Sequence, residues 1–375
     1  MKNSSSEIRR RNRTSALREL LHCEKLTKPE LAVRLKLSLP TAGQLMEELE
    51  TQGLVRESGL AESAGGRRAM YYEAQKNSRL AIGADITRNH LRLALLNLAG
   101  EVQDTRRIRL AFANDEAYRQ RLRQELEAFL NKNQVMKTAL VGVGYSLPGI
   151  VSADRQRLTL SHILGIMEPE TFAPAHWADC PYQCFNDADA ACIRECYDRE
   201  DMTDFAFLSL SDTVGGALVL NGEIQRGLNG RCGEIGHMRV EAGPGARMCY
   251  CGRRGHYDPY GSAERLAEQA DGSLELFFQR LEQGDLPARQ VFEEYLDRLA
   301  AVVQNLAVFT DMDVVIGGYV GHYLGPYLDR LREKVDGMDS RQFASARHIR
   351  LCRHGVDAAA AGSALPLIRQ FIQTV

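Results

Sequence analysis

The chain has 375 residues, enough for two or three domains, and its 44% hydrophobic and 26% charged residues exclude a disordered polymer. The apolar runs are too short to cross a bilayer, and the polar start MKNSSSEIRRRN carries no secretion signal. The nine cysteines are scattered and odd in number, so we expect a reduced, cytoplasmic protein without a disulfide framework.

The net charge of −2 is unevenly distributed along the chain. Residues 1–70 carry 13 Lys and Arg against nine Glu, a net charge of +4, which leaves −6 for the remainder. A small basic head on an acidic body indicates that the head meets a polyanion, although a solvated helical face would give the same charge.

The head, residues 1–78, is predicted to begin with three short helices. Apolar periodicity predicts the first helix from about Glu7 to His22. Thr27 and Glu30 form a capping box at the start of the second helix, and Ser38 caps the third. The third helix is predicted to bury four residues at helical spacing, namely Ala42, Leu45, Met46 and Leu49.

A winged helix-turn-helix is the predicted fold of this head. A tight turn separates the second helix from the third, and the following stretch "GLVRESGLAESAGGRRAMYYEA" predicts two strands and a loop, the wing. A three-helix module that binds protein is the alternative. The order of helix cap, turn, polar helix start and Gly-Gly-Arg-Arg loop favours double-stranded operator DNA as the partner.

Five residues of the head are candidates for contact with DNA. The third helix is expected to enter a major groove by its N-terminal end, where Pro40, Thr41 and Gln44 lie. Glutamine can bond adenine through two hydrogen bonds, and threonine can contact a thymine methyl group. Two glycines precede Arg67 and Arg68, so we expect this pair to enter a narrow minor groove, whose negative potential favours arginine.

The body, residues 79–375, is predicted to alternate strands and helices. This α/β pattern predicts two similar lobes with a cleft between them, one at about 79–185 together with the C-terminal helix and the other at 186–355. The predicted elements are a hairpin across 82–95, a strand near 103–110, a helix near 116–131, a strand at 138–146, two strands within 204–224, a long helix at 286–309, a strand at 313–318 and a terminal helix from about 356.

One short segment of the body has the composition of a metal site. His237, Cys249, Cys251 and His256 lie within 20 residues of one another. Four sulfur and imidazole ligands in so short a span fit a closed, tetrahedral structural Zn²⁺ site. The alternative is two incidental thiols near two histidines.

The motifs of the body, together with the head, resemble those of the ROK family, which groups sugar-responsive repressors and sugar kinases on one fold. The resemblance runs over nearly the whole chain and implies an actin-like ATPase fold with a hexose in the cleft. The matching motifs are "SLPGIV" at 146–151, "NDADAA" at 186–191, "GLNGRCGEIGHM" at 227–238, "CYCGRRGHYDPYGS" at 249–262 and "IGG" at 316–318.

The resemblance also implies which residues hold the sugar. In kinases of the family, an Asp at the position of Asp187 takes the proton from the attacking sugar hydroxyl. The residues matching Asn186, Glu234 and His237 hold other hydroxyls, and Asp258 stands where the family usually has a sugar-binding Glu. From the residues alone, Asp187 could instead cap the following helix, and Glu234 could pair with an arginine.

Two further positions depart from the family pattern. Phe185 stands where an acidic residue is usual, and His256 stands where the family normally has a cysteine. Histidine keeps the ligand capacity of position 256. The acidic side chain lost at position 185 leaves the choice of sugar open.

The two turns that hold ATP phosphates in kinases of the family are altered here. The kinases read approximately Asp-x-Gly-Gly-Thr-Lys at the first turn and Gly-Thr-Gly at the second. This chain places Thr87 and Arg88 in the first turn and Asp212 in the second. Side chains obstruct close approach of backbone to phosphate, and a carboxylate repels it.

We therefore predict a sugar-responsive, DNA-binding transcription regulator, with a repressor favoured, that binds a sugar or sugar phosphate without transferring phosphate. A homodimer, or a higher homo-oligomer, would place two heads on two half-sites of an operator. The alternative is an ATP-dependent sugar kinase with a retained head, in which Arg88 would bind phosphate directly. Regulation by a protein partner at the body is a further possibility that the sequence leaves open.

Overall fold

The computed structural model describes residues 5–61, 68–174, 180–199, 202–338 and 344–375. The helices in these ranges are α1 Ser5–His22, α2 Lys28–Leu35, α3 Leu39–Thr51, α4 Glu116–Lys132, α5 Asp187–Asp198, α6 Asp258–Gly261, α7 Ala263–Ala267, α8 Leu274–Glu282, α9 Leu286–Thr310, α10 Gly318–Gly321, α11 Leu328–Met338 and α12 Ala358–Thr374. Judged by length and apolar character, none of these helices could span a membrane.

The strands fall into a small sheet in the head, two larger sheets in the body and one separate pair. They are β1 Leu26–Thr27, β2 Val55–Leu60, β3 Met70–Ala74, β4 Leu80–Ile86, β5 His90–Asn97, β6 Val102–Arg109, β7 Leu140–Leu147, β8 Ile150–Val151, β9 Leu158–Leu160, β10 Tyr182–Asn186, β11 Phe205–Leu210, β12 Val214–Leu220, β13 Glu223–Gln225, β14 Asp313–Gly317 and β15 Ile349–Leu351.

The head has the predicted winged helix-turn-helix form. The capping box of α2 is present, since the Thr27 N–H donates to Glu30 Oε2 at 2.7 Å and Thr27 Oγ1 accepts from the Glu30 N–H at 3.3 Å. Ser38 caps α3 by accepting from the Thr41 N–H, and all four predicted core residues of α3 are buried. Strands β2 and β3 form the antiparallel wing beside β1.

The body has two sheets of the same design, as predicted from the alternating pattern. The first runs β10-β7-β4-β5-β6 and the second β13-β12-β11-β14-β15. Each consists of a three-stranded antiparallel meander extended by two parallel strands. Strand β4 is buried on both faces, whereas the alternation of apolar and other residues in its sequence predicted burial on one face.

Helix α12 lies backbone to backbone against the first sheet and against α5. A Cβ atom on Gly144 of β7 would come within 1.9 Å of the Ser363 carbonyl oxygen. A Cβ atom on Gly362 of α12 would come within 1.8 Å of the Ala190 carbonyl oxygen. Only glycine fits at these two contacts.

The head is packed on the same helix. Side chains of α1 and α12 share one apolar cluster, which includes Leu17 and Leu20 from α1 and Ile368 from α12. Hydrogen bonds hold α1 at the C-terminal end of α12, because Thr14 Oγ1 donates to the Ile372 carbonyl at 3.1 Å and Arg13 Nε donates to the backbone oxygen of Val375, just after the helix, at 2.8 Å. Helix α12 therefore connects the body to the head.

Candidate functional site

A cavity of about 390 Å³ opens at the N-terminal end of α5. It is walled by the segments 148–151, 160–163 and 225–237 and lies within the size range of small-molecule sites. Four of the five residues predicted to hold a sugar line it, namely Asn186, Asp187, Glu234 and His237. The fold thus assembles these polar side chains from segments about 50 residues apart in the sequence.

Asn186 is the N-cap of α5 and positions its neighbour. Its Oδ1 accepts from the Ala188 N–H at 2.9 Å and the Asp189 N–H at 3.1 Å, and its Nδ2 donates to the Gly149 carbonyl at 3.1 Å. The helix cap predicted as the alternative role of Asp187 is therefore supplied mainly by Asn186.

Asp187 points into the cavity from the first residue of α5. Burial, reinforced by the nearby Asp85, raises the pKa of Asp187 to about 7. A carboxyl group with this pKa can accept or donate a hydrogen bond to a sugar hydroxyl near neutral pH. This geometry suits both sugar binding and the proton acceptance that the family's kinases require.

Glu234 and His237 lie on one short helical turn. Glu234 Oε2 is 3.7 Å from His237 Nε2. Burial raises the pKa of Glu234, and burial together with His256 lowers the pKa of His237. Both side chains can exchange hydrogen bonds with hydroxyl groups in the cavity.

Asp258, the fifth residue implied by the family resemblance, has a different contact. Its Oδ1 accepts from the Val214 N–H at 2.7 Å, and burial raises its pKa to about 6. The described residues lining the cavity do not include Asp258. Asp258 is the first residue of α6, and its short side chain reaches the backbone at the start of β12. This contact stabilises the second phosphate turn, which contains Asp212 and directly precedes β12.

The predicted metal ligands do come together. The ligand atoms of His237, Cys249, Cys251 and His256 all lie within 4.8 Å of one another. His256 Nδ1 lies 3.2 Å from both His237 Nδ1 and Cys251 Sγ. Tetrahedral zinc, with bonds of about 2.0–2.3 Å, places its ligand atoms about 3.3–3.8 Å apart. The shortest separations approach this range, so the four residues form a cluster that could hold a metal ion.

Tyr250 joins the metal cluster to the cavity, a contact that the sequence analysis missed. Its hydroxyl lies 3.1 Å from His237 Nε2, and its ring centre lies 5.6 Å from that of His162. Both Tyr250 and His162 line the cavity. Tyr250 lies between Cys249 and Cys251 in the sequence, and this position could have indicated that it contacts the metal cluster.

The altered phosphate turns line a second, much smaller space of about 50 Å³. Thr87 and Arg88 from the first turn and Asp212 from the second are among its lining residues, and Asp187 borders both spaces. Small-molecule sites occupy about 300–1,000 Å³. This half of the cleft therefore offers far less space than the cavity beside it.

Arg92, which the sequence analysis also missed, lies buried beside this space. Its Nη1 donates to the Val356 carbonyl at 2.8 Å, and its guanidinium carbon is 5.1 Å from the ring centre of Tyr319. Arg92 pairs in register with Asp85 across the hairpin and acts electrostatically on Asp212 as well. A side chain of the protein thus supplies a cation beside the turns that hold phosphate in kinases.

The head presents most of its DNA candidates at one helix end. Pro40 and Gln44 are exposed and Thr41 is half-buried at the start of α3. The Thr41 hydroxyl lies 2.8 Å from Ser38 Oγ and forms a hydrogen bond with it. Arg68 is exposed, whereas Arg67 lies outside the described residues.

The sequence is similar to known proteins of one family. The ROK family model matches residues 81–370. A putative xylose repressor of Caldicellulosiruptor sp. (strain Rt8B.4) is 24% identical over 354 residues, which cover 88% of each chain. N-acetylmannosamine kinase of Escherichia fergusonii is 30% identical over 251 residues, 64% of this chain and 83% of that protein.

The fold is similar to that of a crystallised ROK family transcriptional regulator, a homologue of the Escherichia coli MLC protein. The TM-score is 0.75 at 19% identity, and the match covers 98% of this chain and 97% of that chain. This likeness extends over the head and both lobes, which confirms the predicted fold class. With the family model matching most of its length, the chain belongs to the ROK family.

Proposed function

We propose that this protein is a sugar-responsive transcription repressor whose body binds the effector without phosphorylating it. The observation that carries the proposal is the contrast between the two halves of the cleft. The hydroxyl-binding half offers about 390 Å³, whereas the half bordered by the phosphate turns offers about 50 Å³ and lies beside buried Arg92. The similarity to a putative xylose repressor agrees with this assignment.

A sugar kinase is the second candidate. It is favoured by Asp187, which lies in the cavity with a raised pKa, and by the similarity to an N-acetylmannosamine kinase. Against it stands the need to bring backbone amides against ATP phosphates. In this chain Thr87 and Arg88 line the space that the phosphates would need.

The effector signal would travel through two packed helices. A sugar that binds Asp187 acts on the first turn of α5, and α5 meets α12 at the Ala190–Gly362 contact. Helix α12 in turn holds α1 through Thr14 and Arg13. A sugar with different affinities for two arrangements of these helices would change the affinity of the head for DNA.

Three associated features belong to the same proposal. A structural Zn²⁺ ion would hold the loop that carries His237 and Tyr250. Two chains would form a homodimer so that two heads contact two operator half-sites. A protein that binds the body could act on the same helices as the sugar.

The test measures operator binding with and without sugar. An operator is selected from a random DNA library, and a sugar panel containing glucose, xylose and N-acetylmannosamine is added. We expect one sugar to weaken operator binding at least tenfold. Asp187→Asn should bind operator normally without sugar and lose the response, because the carboxylate at the α5 terminus is gone. The exposed Asp329→Asn should behave as the parent.

Two outcomes would contradict the proposal. Sugar-dependent turnover of ATP at about one per second, in the range of known kinases, would make the protein an enzyme. A chain that selects no DNA sequence would exclude operator binding.

Gln44 should determine sequence preference in DNA binding. We expect Gln44→Ala to weaken binding to the selected operator by about 1–3 kcal/mol and to relax the preference at one base pair. Gln52→Ala, at the opposite end of α3, is the matched control and should have no effect. Fluorescence anisotropy on the operator and on its single-base variants gives both values. Equal effects of the two substitutions would place the recognition surface elsewhere.

Arg68 should contribute through charge. Replacing both Arg67 and Arg68 with alanine should weaken binding to all sequences and flatten the salt dependence, because fewer counterions are released from DNA. Operator titrations at several KCl concentrations measure this slope. An unchanged slope would refute the assignment of the wing to DNA.

A further inference from the structure

The segment 225–233 of the cavity wall carries two arginines that the hydroxyl-binding residues do not explain. Arg226 and Arg231 both line the cavity, Arg226 half-buried and Arg231 exposed. Within the described ranges, neither guanidinium forms a salt bridge or a side-chain hydrogen bond. Each therefore keeps its five N–H donors available to a ligand.

A third guanidinium, that of Arg155, lies near Arg226 but does not itself line the cavity. Arg155 is half-buried, and its guanidinium carbon lies 4.7 Å from the ring centre of Phe185. Burial, and after it the proximity of Arg226, lowers the pKa of Arg155. Two like charges thus lie close enough to act on each other, and Asp189 offsets part of this repulsion.

Two carboxylates lie among these cations. Asp189 lines the cavity, and both Arg226 and Arg155 act to lower its pKa, although burial raises it to about 6 overall. Arg231 acts in the same way on Glu234. Carboxylates therefore offset the positive charge in part, but within the described ranges neither Asp189 nor Glu234 lies within salt-bridge distance of Arg226 or Arg231. The two guanidinium groups keep N–H donors that a ligand can use.

The cavity therefore has two chemically different parts. Asp187, Glu234 and His237 suit hydroxyl groups, whereas the arginine wall suits an anion. We propose that the effector is a sugar bearing an anionic group, either a phosphate ester or a carboxylate, and that Arg226 and Arg231 bind that group. Arginine binds both oxyanions through paired, charge-assisted hydrogen bonds. This inference rests on the proposed sugar-sensing function.

The test compares each neutral sugar of the panel with its terminal phosphate ester and with the corresponding sugar acid, by isothermal titration calorimetry on the full chain. We expect at least one anionic form to bind tenfold or more tightly than its neutral parent, and its affinity to fall as KCl rises. The ester and the acid distinguish the two sources of the negative charge.

Arginine variants assign the effect to this wall. Arg226→Gln should weaken binding of the preferred anionic form by about 10- to 100-fold, the range for losing a charged hydrogen bond, and leave the neutral parent unchanged. Arg231→Gln should also weaken binding of the anionic form. Because this side chain is exposed, the substitution should not disturb folding. Arg289→Gln, exposed at the start of α9, is the control and should change nothing.

Each remaining outcome is decisive. Neutral sugars that bind as tightly as all their anionic forms would overturn the inference and leave the proposed function intact. An anion preference that survives both arginine substitutions would also overturn it. If no form of any sugar binds, the sugar-sensing function fails together with the inference.

Discussion

Serine at Cys249 should leave the protein without bound zinc and lower its unfolding free energy by about 4–5 kcal/mol, a range reached when a single substitution removes a structural metal. Cys249 is buried in the ligand cluster, and its loop is closed by hydrogen bonds from the Cys249 N–H to the Arg253 carbonyl at 2.8 Å and from the Gly252 N–H to the Cys249 carbonyl at 2.9 Å. These hydrogen bonds would remain without the ion, but the four ligand side chains would lose the bonds that join them to one another.

Metal analysis and thermal unfolding check this result together. The parent, purified without chelator, should contain about one zinc ion per chain, and Cys249→Ser should contain none. Cys180→Ser is the control, since Cys180 lies outside the cluster. Because His237 belongs to both the cluster and the cavity, the sugar response should weaken in Cys249→Ser as well. A metal-free parent would refute the zinc site.

Alanine at Gly362 should have the second large effect. The added Cβ would lie 1.8 Å from the Ala190 carbonyl oxygen, and backbone cannot yield as a flexible side chain can. We expect a loss of about 3 kcal/mol, at the upper end for overpacking, and a fall in Tm of about 6–12 °C. Since α5 carries Asp187 and α12 carries the head, the sugar effect on operator affinity should also shrink.

Gly337→Ala provides the matched control. Gly337 also lies in a helix, α11, but a Cβ atom there would meet nothing within 4 Å. Alanine is the better helix former, so this variant should gain up to about 1 kcal/mol. Differential scanning calorimetry of both variants measures the contrast. Equal melting temperatures would mean that α5 and α12 do not pack in this way.

Most elements were predictable where their pattern was strong. The spacing of Ala42, Leu45, Met46 and Leu49 specified α3, and the alternation across 82–95 specified the first hairpin. Helices α8 and α11 were not predicted, because short helices provide few buried positions. In α11 only Leu331 and Val335 are buried, which is too small a set to establish a helical period.

The family motifs indicated candidate sugar residues, and their proximity is easiest to foresee where those residues adjoin one another along the chain. Asn186 and Asp187 are neighbours, and Glu234 and His237 share one turn, so each pair shares a location in any fold. Asp258 contacts Val214, which lies 44 residues away, and only the assembled lobe specifies that contact. Arg92 was within reach of sequence reasoning, because pairing Ile86 with Leu91 across the tip places Asp85 opposite Arg92.

The apolar contact between α1 and α12 also limits how freely regulators of this design can exchange DNA specificity. A DNA-binding domain is often treated as an independent unit that can be separated at a linker and exchanged for another. Here Leu17 and Leu20 of α1 pack in one buried cluster with Ile368 and Ile372 of α12. A head exchanged for this one must therefore carry a matching apolar surface. Evolution of a new operator would therefore proceed more easily through exposed residues such as Gln44 than through replacement of the whole head.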